Sequence, residues 1–399
     1  MLRHLRIVVL VTVMLTLFGG MHYYLYARLL GALGPCSTSE IWSLRGLAVC
    51  GAVSFPLLRI LSRTRVWRPT ALVNWVVMVW LGLALYASLA ALALQAGMFI
   101  LRSAALGIHA PMLLNLSPGH AGLALVSATA VVIAAISVAT AQAMPRTTDV
   151  EVALAHLPRS LEGFSVVQLS DVHVGPFSRE GRLRGMVERV NSLAPDLVVI
   201  TGDLADEKVA HLVEAMRVLQ NLKARHGVLA VTGNHDFHAG VDEVVRCAEA
   251  GGVRFLRNER VTVAGAIDVY GIDDPIAARI RGDQAPRFEQ LIDPATRQRA
   301  SILLCHQPLG YPRLAELGVG LVLSGHTHGG QLWPISWLAR RLYPNNAGHY
   351  QCQTTGTSDP LTTLKLTPSP GFSSTSRSCP AALPFASASA CSSRPGWSA

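Results

Sequence analysis

The sequence predicts an N-terminal region of about four membrane-crossing α-helices followed by an α/β domain with parallel strands. Three observations carry this expectation. Half of the 399 residues are hydrophobic, 15% are charged and the mean hydropathy is +0.36, too apolar for an ordinary soluble domain or a disordered chain. Long apolar runs fill the part before residue 145. Beyond residue 148, short apolar runs alternate with amphipathic ones, the signature of strands and helices in turn.

The apolar runs are Ile7–Leu25, Gly46–Leu58, Ala71–Ile100 and Ala121–Ala143. A hydrocarbon core of about 30 Å needs roughly 20 helical residues. The first, third and fourth runs meet that length; the second is shorter and flanked by Arg45 and Arg59. Arginine placement keeps it in the count. Arg3 and Arg6 precede the first run, and Arg59, Arg63, Arg65 and Arg68 lie between the second and third. By the positive-inside rule, four spans place the N-terminus and everything after residue 145 in the cytoplasm. Dropping the second span would leave the four-arginine loop outside. Met21–Tyr26 shows no small-residue cleavage pattern, so the first run reads as a span and not as a removed leader.

The net charge of +9 would point to nucleic acid if it were uniform. It is not. Residues 1–150 carry ten Arg, no Lys and two acids, whereas 151–350 carry 21 basic and 22 acidic residues. The basicity is topological, and no nucleic-acid partner is expected. Seven Cys without paired spacing exclude a disulfide framework and a cysteine-rich zinc site.

In the α/β part, strands are expected at Ser165–Leu169, Leu197–Ile200, Val228–Val231, Ile302–Leu304 and Gly320–Leu323. Helices are expected at Arg179–Leu193 and Lys208–Leu222, and a pair of short strands within Val261–Gly271 turning at Ala264–Gly265. The residues just past each strand carry the chemistry. The five ends read Ser170-Asp171-Val172-His173, Thr201-Gly202-Asp203, Thr232-Gly233-Asn234-His235-Asp236, Cys305-His306-Gln307 and Ser324-Gly325-His326-Thr327-His328. Each block alone has an ordinary reading as a turn, a helix cap or a hydrogen-bonded histidine. Open α/β sheets, however, gather their sites outside the carboxyl ends of their strands. Five such ends would bring together Asp, Asn and His in the mixed oxygen and nitrogen donor set of a metal centre. With no Cys among the donors, Mn, Fe or Zn fits better than a soft-thiolate metal. Asp206 reads as a helix cap, and His238 as a residue that could face substrate.

These blocks resemble the calcineurin-like metallophosphoesterase family, and its bacterial membrane-associated branch given Gly329-Gly330-Gln331 and the preceding spans. The match covers about residues 163–332. It implies a sandwich of two mixed β-sheets flanked by helices, with ligands on loops at one edge. It implies two divalent metal ions, one held by Asp171, His173, Asp203 and His328, the other by Asp203, Asn234, His306 and His326. A carboxylate suits the shared position because it offsets repulsion between two close cations, and a bridging hydroxide would attack phosphorus. His235 is then not a ligand but a general acid or a phosphate binder, with Asp236 fixing its tautomer. The implied activity is hydrolysis of a phosphate monoester or diester. The membrane tether favours a lipid-linked substrate, with a soluble nucleotide as the competing reading.

The organisation expected is therefore transmembrane helices over 1–147, a phosphoesterase domain over 148–350 and a low-complexity tail over 351–399. The tail holds 11 Ser, 7 Thr and 6 Pro, with no visible strand. It reads as disordered, or as a frameshift or truncation product replacing the family's last strands. That leaves an alternative function: a membrane protein that binds metal without turnover. A transporter reading is disfavoured because no span carries an acid and Asn74 is one of few polar residues inside them.

Overall fold

The computed structural model describes residues 2–62, 71–106, 119–142, 144, 147–176, 178–206, 209–283, 288–292, 298–308, 311–328, 337, 341, 349–351, 362–368 and 376–378. The chain separates into two compact units, 1–143 and 144–399.

The first unit is built from α1 (Leu2–Leu33), α2 (Thr38–Ser62), α3 (Ala71–Leu106) and α4 (Gly119–Gln142). Among the described residues, three helices are long and apolar enough to cross a membrane: Thr38–Leu58, Leu72–Leu101 and Gly119–Thr140. The expected first span, Ile7–Leu25, falls within α1, and its start lies outside the described side chains. The short second run is part of a full-length helix. A buried polar side chain in an apolar surrounding needs a partner, and His22 shows how one is supplied. His22 is buried; its Nδ1 donates to Phe18 O at 2.8 Å and its Nε2 accepts from Trp80 Nε1 at 3.0 Å. Gly51 backs this pair so closely that a Cβ there would lie 2.5 Å from the His22 ring.

The second unit holds β1 (Val150–Leu154), β2 (Ser165–Leu169), α5 (Glu180–Ser192), β3 (Leu197–Thr201), α6 (Val209–Leu219), β4 (Val228–Val231), α7 (Asn234–Ala239), α8 (Val241–Ala250), β5 (Val253–Phe255), β6 (Glu259–Val263), β7 (Ile267–Gly271), α9 (Pro275–Arg281), α10 (Phe288–Leu291), β8 (Ala300–Leu304), α11 (Tyr311–Glu316), β9 (Leu321–Leu323), β10 (His349–Gln351), β11 (Thr362–Pro368) and β12 (Ser376–Ser378). A six-stranded sheet runs β1-β11-β2-β3-β4-β5 and a four-stranded sheet runs β6-β7-β8-β9. Both are mixed: β1 is antiparallel to β11 and β6 to β7, while the other pairs in these sheets are parallel.

Period-two alternation sorts the residues of β2 and β3 onto two faces. Val167, Leu169, Val198 and Ile200 pack under Leu183, Val187 and Val190 of α5 and Leu212 and Met216 of α6. Val166, Leu197 and Val199 face the other way and meet Val269, Ile302, Leu304 and Leu323 of the smaller sheet. Burial on both faces explains why Leu-Val-Val-Ile, the first four residues of β3, is apolar without a break. The sandwich lines up the carboxyl ends of β2, β3 and β4 with those of β8 and β9.

The expectation of a strandless tail is corrected. Thr362–Pro368 lies between β1 and β2, antiparallel to the first and parallel to the second, and Ser376–Ser378 pairs with β10. The segment Thr-Thr-Leu-Lys-Leu-Thr-Pro alternates polar and apolar residues at positions 363–367. That is enough to form a strand where two neighbours supply the ladder. The surrounding composition, dominated by Ser and Thr, masks this short alternation. Residues 352–361, 369–375 and 379–399 lie outside the described residues.

Candidate metal centre

Each predicted strand end delivers its polar residues to one place. The backbone there is unusual. Nine described residues other than glycine have positive φ, and five of them are predicted ligands: Asp171 (53°), His173 (48°), Asp203 (52°), His326 (72°) and His328 (48°). Left-handed backbone costs of order 1–3 kcal/mol per residue and persists where the surroundings enforce it. Its concentration on these residues marks a site where side-chain direction outranks backbone comfort. Close packing enforces it. A Cβ on Gly233 would collide with the Asp203 carboxylate and backbone, and one on Gly325 with Ser170 Oγ. Only glycine lets these loops approach.

The donors form overlapping groups whose ligand atoms lie within 4.8 Å of one another: Asp171, His173 and His328; His173, Asp203 and His235; Asp203, His306 and His326. His328 Nε2 is 3.3 Å from Asp171 Oδ1 and 3.2 Å from His173 Nε2. Asp203 Oδ2 lies 3.6 Å from His173 Nε2 and 3.1 Å from His306 Nε2. One carboxylate therefore faces histidines of both predicted ligand sets. Asp203 is 2% exposed. Burial pushes its pKa up, but the hydrogen bond and charge of His306 outweigh this and hold it at about 2. Asp203 against His306 in turn raises that imidazole to about 9 despite its burial. Desolvation lowers His326 and His328, keeping their rings neutral and available as donors.

The donor chemistry fits divalent cations. His306 Nδ1 donates to Thr201 O at 2.8 Å, which fixes the ring so that Nε2 faces Asp203. Asn234 Oδ1 is buried and has no hydrogen-bond partner among the described residues. A buried orphan carbonyl oxygen is costly unless a cation or water completes it.

His235 sits on α7, whose first turn begins at Gly233. Its backbone N–H donates to Asp203 Oδ1 at 2.8 Å. Its ring Nδ1 lies 2.8 Å from Asp206 Oδ1, and its side chain remains 40% exposed. The Asp206 hydrogen bond is the main cause that raises the His235 pKa. Asp206 itself is lowered by its hydrogen bonds to His173 and His235; its Oδ1 is 3.6 Å from His173 Nδ1. Asp206 therefore partners His235; its expected role as a cap of the following helix involves residues 207–208, which lie outside the described residues. One expectation is corrected here. Asp236, expected to hold His235, is fully buried and accepts from Ala205 N and Gly233 N, both at 2.8 Å. Burial pushes Asp236 up to about 6.

With this geometry in view, comparison with known proteins decides the family. The calcineurin-like phosphoesterase profile matches residues 164–330. An uncharacterized metallophosphoesterase of Aquifex aeolicus is 34% identical over 187 residues, 47% of this chain and 70% of that protein. The chain belongs to the calcineurin-like phosphoesterase family. A transmembrane protein with metallophosphoesterase domain from Danio rerio is 36% identical over 230 residues, 55% of this chain and 53% of that protein. An uncharacterized metallophosphoesterase of Helicobacter pylori is 34% identical, covering 50% of this chain and 52% of that protein. The chain spans about half the length of these last two relatives. Within the phosphoesterase domain all seven predicted donors, Asp171, His173, Asp203, Asn234, His306, His326 and His328, lie at the ends of the predicted strands. His238 is exposed one turn beyond Asn234, its Nδ1 donating to Asn234 O at 2.6 Å. Cys305 is buried beside His306, its thiol raised to about 12 by burial, and contributes no donor.

Proposed function

We propose that this chain is a membrane-anchored, metal-dependent phosphoric ester hydrolase acting on a phosphate monoester or diester, with a lipid-linked ester as the favoured substrate. The observation that carries this reading is one buried carboxylate, Asp203, facing His173 on one side and His306 on the other. Asp171, His173, Asp203 and His328 would hold one divalent cation, and Asp203, Asn234, His306 and His326 a second. Such a pair, Mn, Fe or Zn, would polarise the phosphoryl oxygens and make water nucleophilic near neutral pH.

The chain's own contribution is orientation and proton delivery. Asp206 accepts from His235 Nδ1, so Nε2 is the nitrogen left for the cleft. In the imidazolium form Nε2–H donates to the leaving-group oxygen, and the proton passes to the departing alkoxide. Asn234 supplies an oxygen without negative charge, so it does not repel an anionic ester. Asp236 closes the first turn of α7 and fixes where Asn234 and His235 stand.

The arginine pattern supports a multi-pass arrangement with residues 148–399 on the cytoplasmic side, and similarity to bacterial metallophosphoesterases favours a bacterial inner membrane. A catalytic domain held at a bilayer meets lipid-linked esters in two dimensions. The strand at Thr362–Pro368 favours an active enzyme over a compromised one, because it fills the place between β1 and β2. The test is hydrolysis of a chromogenic phosphodiester and a chromogenic monoester by the full-length protein in detergent, with and without Mn²⁺. Metal-dependent turnover of either supports the reading; turnover of neither, with metal bound, refutes it.

A further inference from the structure

We propose that Gln168 is a positioning residue for the metal centre: it ties the two sheets together beneath the ligands and holds the two halves of the ligand set in register. The inference rests on the ligand assignment proposed above. Asp171, His173, Asp203 and Asn234 follow strands of the six-stranded sheet, whereas His306, His326 and His328 follow strands of the four-stranded one. Between the sheets lie Val166, Leu197 and Val199 on one side and Val269, Ile302 and Leu304 on the other. Apolar packing resists separation but is non-directional. A metal site tolerates errors of only about 0.2 Å in its ligand distances. Directional contacts at the ligand end of the sandwich are therefore needed.

Gln168 supplies them. Two residues beyond Val166 on β2, its side chain enters the layer between the sheets, where it is 3% exposed. Its Nε2 donates to Thr201 Oγ1 at 2.9 Å, at the end of β3, and to Ser324 O at 3.0 Å, just past β9. A carbonyl oxygen only accepts, so the Ser324 contact fixes which way the amide faces. Both partners lead directly to ligands. The Thr201 carbonyl receives His306 Nδ1. Ser324 precedes Gly325 and His326, and the His326 N–H donates to both carboxylate oxygens of Asp171 at 3.1 Å. One amide nitrogen thus joins β2, β3 and β9 within three residues of Asp171, Asp203 and His326.

The other end of the side chain argues that this is more than packing. Gln168 Oε1 is buried and has no hydrogen-bond partner among the described residues. Leaving a buried acceptor unsatisfied is unfavourable, and methionine would fill similar space without it. The unsatisfied Oε1 offsets what the two Nε2 bonds add to stability, so glutamine's distinctive contribution here is the direction of those bonds.

The test uses the full-length protein in detergent, stripped of metal with a chelator. Mn²⁺ binding is measured by calorimetry and unfolding of the metal-free form by thermal melting, for the parent, Gln168→Met and Gln168→Glu. Gln168→Met should melt within a few degrees of the parent yet bind Mn²⁺ about 10–100-fold more weakly, the range seen when outer partners of metal ligands are removed. Gln168→Glu should bind more weakly still, because its carboxylate sets an acceptor against Ser324 O. Mn²⁺ affinity within twofold of the parent, or a loss of affinity only in step with a lower melting temperature, would overturn the proposal. Should Gln168→Met not fold, Thr201→Val removes one of the two acceptors and keeps the shape; unchanged Mn²⁺ affinity there overturns it equally. A parent protein that binds no Mn²⁺ sinks the ligand assignment itself, a separate failure.

Discussion

Asp206→Asn separates the charge of the His235 partner from its shape. Asparagine can still accept from His235 Nδ1 through its carbonyl oxygen, so the 2.8 Å contact survives while the negative charge is lost. A hydrogen bond to a charged group contributes about 1.5–3 kcal/mol, and the lower end applies to a pair in which His235 is 40% and Asp206 33% exposed. About 1.5 kcal/mol corresponds to roughly tenfold in rate. The sign of the pH effect is set by the direction of the shift. Asp206 raises the His235 pKa, so the acid form persists to higher pH in the parent. Without that charge, the alkaline limb of the pH–rate profile should move to lower pH. The assay is kcat/KM against pH for an alkyl phosphodiester at saturating Mn²⁺. Saturation matters because Asp206 Oδ1 also lies 3.6 Å from His173 Nδ1, so metal affinity is expected to drop in parallel. A variant with an unmoved alkaline limb and kcat/KM within twofold of the parent would refute the pairing.

Asp203→Asn should abolish binding of both Mn²⁺ ions, whereas His173→Ala should mainly weaken one; equal metal content in Asp203→Asn and the parent contradicts the shared-ligand assignment. His235→Ala should retain its metal and lose about 10²–10⁴-fold in turnover, with a smaller loss for nitrophenyl esters, whose leaving group needs little protonation; equal losses for good and poor leaving groups would make His235 a phosphate binder. Asp236→Asn leaves one of two buried N–H groups, on Ala205 or Gly233, without an acceptor, which costs about 1–3 kcal/mol and should register as a lower melting temperature; an unchanged melting temperature contradicts that role. A reporter active only in the cytoplasm, fused after residue 150, should be active, and the opposite result removes the four-span topology.

The donor residues are legible in the sequence because each stands directly after an apolar strand, and a parallel sheet brings consecutive strand ends together without further information. The partner of His235 is not. His235 and Asp236 are adjacent in sequence, and adjacency suggests that Asp236 orients the imidazole beside it. On α7, however, Asp236 occupies the third position and turns back to the Gly233 N–H. The spacing from Gly233 to Asp236 matches a capping pattern, and that is the available signal. Asp206 reaches His235 from 29 residues away, through the loop after Asp203. No local pattern encodes that contact. β11 is concealed for a related reason. Its alternation at 363–367 is short, and its place between β1 and β2 depends on pairing with residues some 200 positions earlier. Gln168 is hidden by its position: inside an apolar strand it is one polar residue among hydrophobic neighbours, and its role is visible only once β9 lies against it.

Anomalous scattering from crystals of the full-length protein loaded with Mn²⁺ tests the two-cation site most directly. The account predicts two peaks: one among Asp171, His173, Asp203 and His328, the other among Asp203, Asn234, His306 and His326, with Asp203 the residue common to both. A single peak, peaks that do not share Asp203, or a peak bound through Asp206 in place of these ligands would contradict it.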